Sequence, residues 1–106
     1  MNFLEKEILY KIKHSIKRKD PNADVILFGS HARGDANSKS DWDILVLVDN
    51  DNFSRELEKA YRNEIYDLEL EIEQPISTLL FTKKEWNTKY SYTPLFTNIQ
   101  NQGIVL

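Results

Sequence analysis

Apolar residues recur every four positions at the start of the chain: Leu4, Ile8, Ile12 and Ile16, with Leu9 beside them. That spacing makes one stripe of a helix apolar, so the first predicted element is an amphipathic helix. Lys17, Arg18 and Lys19 fall in its last turn, where cations suit the helix dipole, and Asp20-Pro21-Asn22 breaks it. The pattern then changes. Val25 to Phe28 is a short continuous apolar run bounded by polar residues and Gly29, which predicts a buried strand; Ile44 to Val48 predicts a second. Between them, His31-Ala32-Arg33 fits a single helical turn closed by Gly34 in a left-handed conformation. Residues 35 to 40 are turn chemistry throughout. The connection from 29 to 42 is too short for a crossover through a helix of normal length, so the two strands are expected to be antiparallel neighbours.

Phe53, Leu57, Ala60, Tyr61, Ile65 and Leu68 mark a second amphipathic helix, with Asp49 to Asn52 supplying acidic and capping residues near its start. In "LELEIEQPISTLLF", Leu70 and Ile72 alternate with Glu69, Glu71 and Glu73, a period of two that predicts a strand, with a bulge or edge position at Pro75. Ile76 to Phe81 completes a third strand. Thr82 with Glu85 forms the capping-box pattern of a short helix, and Thr93-Pro94 opens a last helix ending at Gly103. The expected order is α-β-β-α-β-α-α, a small α/β (α+β) fold with helices packed on a mixed sheet.

Composition narrows the function. The chain has 106 residues, which fits one domain over 1–106, and 41% are hydrophobic, enough for one modest core. The net charge is −3, which argues against direct nucleic-acid binding, since such a surface needs basic residues to release counterions. Without cysteines there are no disulfides or thiolate metal sites, and a reducing compartment fits. The first twenty residues are charged throughout, unlike a secretory signal, and no segment approaches the ~20 apolar residues that span a bilayer. The expectation is a cytoplasmic protein with no membrane contact.

The chemistry lies in "FGSHARGDANSKSDWDI". Residues two apart in a strand share a face, so Asp41 and Asp43 project together while Trp42 points away. Paired carboxylates repel unless a cation joins them. They form a hard oxygen site suited to Mg²⁺, which binds one or two carboxylates and fills its remaining positions with water and substrate phosphates. Gly29 lets a ligand approach the backbone closely, and Ser30 with the following amides opens a turn whose N-terminus attracts phosphate. Antiparallel pairing would bring the two features within one triphosphate's reach.

Gly29-Ser30, ten residues, then Asp41-x-Asp43 resembles the signature of the polymerase-β-like nucleotidyltransferase superfamily, and "GSHARGDANSKSDWDILV" is most similar to its minimal nucleotidyltransferases. The close resemblance covers residues 25 to 48. It implies that Asp41 and Asp43 coordinate metal, that Gly29 and Ser30 hold the triphosphate of ATP, and that Arg33 contacts phosphate. It implies transfer of a nucleoside monophosphate with release of pyrophosphate, onto a HEPN-domain protein in toxin–antitoxin pairs. The superfamily adds a third carboxylate from a later strand. "ISTLLFTKKEW" contains no acid before Lys83, so Glu71, with Glu73 as its alternate, is the candidate catalytic residue. If neither serves, the domain binds nucleotide and turns it over slowly or not at all, acting by protein contact. A small-molecule acceptor is the lesser alternative, because the chain has no second domain to build its pocket.

Plainer readings compete at several positions. Arg33 in a turn is as readily solvated as bound to phosphate. Glu69, Glu71 and Glu73 fit the wet face of an edge strand, His14 and His31 fit the surface, and Trp42 and Trp86 fit the core. The basic end of the first helix reads as a solvated face.

Overall fold

A computed structural model describes residues 1–106. Its elements are α1 (Phe3–Lys19), β1 (Asp24–Phe28), α2 (Gly29–Arg33), β2 (Trp42–Val48), α3 (Arg55–Ile72), β3 (Ile76–Thr82), α4 (Lys83–Thr88), α5 (Pro94–Gln102) and β4 (Ile104–Val105). The sheet runs β3-β2-β1-β4. β1 pairs antiparallel with β2 and with β4, while β2 and β3 are parallel. The fold is therefore mixed α/β, and the expected antiparallel hairpin across residues 29–42 is present. No helix is long and apolar enough to cross a membrane.

Alternation along β2 builds two cores. Trp42, Ile44, Val46 and Val48 join Val25 and Leu27 of β1 against Ile8, Ile12 and Ile16 of α1 and Tyr61, Ile65 and Leu68 of α3. Leu45 and Leu47 face the other way and meet Trp86 of α4 and Ile99 of α5. Because both faces of β2 are covered, its burial is nearly continuous, as expected for a central strand with a parallel neighbour.

The helix ends follow local chemistry. Asn2 and Glu5 form a capping box on α1, Thr82 and Glu85 form one on α4, and Thr93 caps α5 with Pro94 in its first turn. Gly103 ends α5. The cap of α3 is Ser54, just after the expected Asp49–Asn52 segment.

Two expectations are corrected. Residues 69–72 are not strand: α3 continues through Ile72 and stops at Glu73, which adopts a left-handed conformation with φ 58°. Six residues of alternating Leu/Ile and Glu match a short strand, but Leu68 and Ile72 also continue the four-residue spacing begun at Tyr61 and Ile65. Leu and Glu are strong helix formers, so the longer period wins. The second correction adds β4, whose two residues pair with Ile26 and Leu27, with the Leu106 amide donating to the Val25 carbonyl at 2.9 Å. Leu4 also departs from its stripe: it is 60% exposed while Ile8, Ile12 and Ile16 are buried.

Candidate active site at the glycine-serine turn

β1 delivers Phe28 opposite Asp43 of β2, and the chain turns directly into α2 at Gly29. Gly29 has φ +73°, a region open mainly to glycine, and a Cβ there would overlap the Asp43 carboxylate. The turn backbone and the carboxylate are thus packed against each other. Gly34, at φ +85°, closes α2 as its left-handed cap, with its amide donating to the Ser30 carbonyl at 3.0 Å. Ser30 lies in the first turn of α2, and no side chain caps that helix.

Asp43 is half-buried at the start of β2; Asp41 lies one residue outside the strand and is exposed. Burial pushes the Asp43 carboxyl above its usual range, and the negative charge of Asp41 pushes the same way. His31 and Arg33 on α2 oppose the shift. A carboxylate whose charge is disfavoured by burial and by a second carboxylate nearby, with oxygen donors only, suits a hard divalent cation that brings its own phosphate ligands. Arg33 is exposed and ion-paired with Asp35 at 3.3 Å, so it stands at the site without being committed to it.

Glu71 is elsewhere. It sits near the end of α3, its side chain 61% exposed and 3.8 Å from the Lys11 ammonium. α3 packs on the Trp42 face of the sheet, whereas Asp43 alternates with Trp42 and shares the face of Leu45 and Leu47. The strand that was to bring Glu71 to the pair does not form, and Glu73, in the left-handed cap of α3, is exposed as well. In the parallel register the neighbour of Asp43 on β3 is Ser77, which is exposed. No group of three or more His, Asp or Glu residues is arranged to hold a metal ion.

His31, expected at the surface, is half-buried against the sheet. Its ring stacks on Trp42, centroids 3.6 Å apart and 8° from parallel, and Nε2 lies 3.4 Å from the Ser40 carbonyl. Nδ1 is buried with no hydrogen-bond partner. Trp42 in turn donates its indole N–H to Gln74 Oε1 at 2.7 Å. The stack ties α2 to β2 from the face opposite Asp43, which holds the turn in place.

A glycine turn packed against Asp43, on a hairpin backed by a helix-covered mixed sheet, fits the nucleotidyltransferase arrangement that the sequence resembles. Comparison with known proteins agrees. The family model described as "Nucleotidyltransferase domain" matches residues 9–99, and the chain belongs to that family. A Methanocaldococcus jannaschii protein named "Putative protein adenylyltransferase MJ1379" is 38% identical over 89 residues, covering 80% of this chain and 81% of its own. A crystal structure described as that of a "putative nucleotidyltransferase" superposes with a TM-score of 0.63 at 23% identity, covering 92% of this chain and 96% of that one, and shows the shared fold.

Proposed function

We propose that this nucleotidyltransferase moves AMP from ATP, with Mg²⁺, onto a hydroxyl of a partner protein, and that the partner is a cytoplasmic HEPN-domain toxin. The observation that carries the reading is the half-buried Asp43 carboxylate packed on Gly29 and beside Asp41. The M. jannaschii relative's name supports a protein acceptor.

Asp41 and Asp43 would hold Mg²⁺, which when bound supplies charge neutralisation for the phosphates. Gly29 gives the triphosphate close access to the backbone, Ser30 and the first amides of α2 bond its oxygens, and Arg33 adds positive charge on leaving its Asp35 partner. The acceptor hydroxyl oxygen bonds the α-phosphorus and releases its proton to water. The bond from that phosphorus to the bridging oxygen breaks, and pyrophosphate leaves.

One observation favours a second reading. The β3 position beside Asp43 holds Ser77, so the chain brings only two acids together. A site so furnished suits a slow or inactive module that neutralises its partner by contact.

Incubation of the protein and its HEPN partner with α-labelled ATP and Mg²⁺ separates the two. Transfer of label to the partner, cut at least a hundredfold by Asp41→Ala/Asp43→Ala, supports the enzyme. Binding of the partner without label transfer overturns it in favour of contact alone.

A further inference from the structure

The molecule's largest cavity, about 500 Å³ and lined by His31, Trp42, Asn37 and Gln74, opens on the Trp42 side of the sheet, away from Asp43. A smaller one, about 200 Å³, lies between α2 and α5 and has Gly29 itself in its wall. Phe28, Leu95 and Ile99 make its apolar surfaces, and Asn98 and Gln102 complete the α5 side. Phe28 is the cross-strand neighbour of Asp43, and Phe28, Leu95 and Ile99 all belong to the Asp43 face of the sheet. The smaller cavity therefore adjoins the carboxylate site through Gly29, which packs against Asp43, and the larger lies on the other face.

Its chemistry is specific. Asn98 and Gln102 are four residues apart on one helix, so their amides stand on the same side, one turn apart. Each amide offers one acceptor and one donor group. Adenine presents a matching donor and acceptor on one edge, whereas guanine presents two acceptors there, which suit arginine rather than an amide. Arg33 is the one arginine in the wall, and the phosphate role given to it above turns its guanidinium to the triphosphate rather than the base.

We infer that the cavity between α2 and α5 binds the base of the nucleotide, and that Asn98 and Gln102 select adenine over guanine. This rests on the nucleotidyl-transfer reading of the adjoining site and adds where the base lies and what reads it. The apolar walls cover the faces of the ring, and the amides meet its edge where solvent would otherwise compete.

Both amide residues are exposed, so replacing them leaves the core intact. Calorimetric titration of the protein with Mg-ATP, Mg-GTP and Mg-tripolyphosphate tests the inference. ATP is expected to bind about tenfold tighter than GTP. Asn98→Ala/Gln102→Ala should erase that preference and leave tripolyphosphate binding unchanged. Intermolecular NOEs from the adenine H2 and H8 protons should reach the Leu95 methyls. An unchanged ATP preference in the double variant overturns the inference, as does loss of preference in Asn37→Ala/Gln74→Ala instead. Should either occur while label transfer persists, nucleotidyl transfer stands and only the base site falls. Absence of any nucleotide binding removes both.

Discussion

The two faces of the sheet are built for different work. The face beneath α1 and α3 buries a cluster of 15 residues, including Trp42, Ile12 and Ile16 at 1% exposure each. The opposite face has only four fully buried residues, Leu45, Leu47, Trp86 and Ile99, ringed by half-buried Phe28, Phe81, Tyr90, Leu95 and Phe96. Asp43 sits at the end of that thinner face. A charge desolvated among fifteen packed apolar groups would be costly; at the margin of a small core it remains partly solvated and reachable by a ligand. The thick face holds the hairpin, and the thin face leaves room for chemistry.

Substitutions can break that division. The largest effect is expected on the thick face: Ile12→Ala should cost about 3–5 kcal/mol in urea unfolding, and Ile99→Ala on the thin face about 2, because its half-buried neighbours can close in on the space. Equal losses would show that both cores carry the fold alike. Next comes the junction. Gly29→Ala meets both a positive φ and the Asp43 carboxylate, and should cost about 1–3 kcal/mol and abolish nucleotide binding. Retention of wild-type affinity would separate the turn from the site.

The smallest effect is the most diagnostic. The carboxyl of Asp43 is raised by burial and by Asp41, so the folded state favours its protonated form. Its contribution to stability is present below the ordinary carboxylate range and is lost as pH rises through the raised value. Asp43→Asn should therefore raise Tm at pH 7 by about 1–3 °C, given the solvent screening at this half-buried position. The gain should vanish as the buffer is acidified through the carboxylate range. Mg²⁺ should raise Tm of the wild type and leave the variant unmoved. A Tm gain that persists in acid would show that Asp43 is not the source of the strain.

Features legible in the sequence were those whose chemistry is local. The Thr82/Glu85 box, Thr93-Pro94 and Gly103 each act within one helical turn, and the Asp41-x-Asp43 and Gly29-Ser30 pairs lie on one hairpin. "LELEIE" misled because six residues satisfy two periods, and only their continuation from Tyr61 and Ile65 decides between them. β4 was hidden because its two residues depend on partners nearly eighty positions earlier. Ser77 beside Asp43 follows from the parallel register of β2 and β3, and the His31–Trp42 stack from the way α2 folds back on the sheet. Neither leaves a mark in local spacing.

The chain's two tryptophans are divided between the faces, Trp42 in the thick core and Trp86 in the thin one, each 1% exposed. Each half of the molecule thus carries its own optical label. With Trp86→Phe, the remaining emission comes from an indole pressed against the imidazole of α2, so it reports any shift of the glycine-serine turn when a nucleotide arrives. With Trp42→Phe, it reports the packing of α4 and α5 against the thin face of the sheet. Loosening of one layer can then be timed against the other by comparing the two single-tryptophan variants.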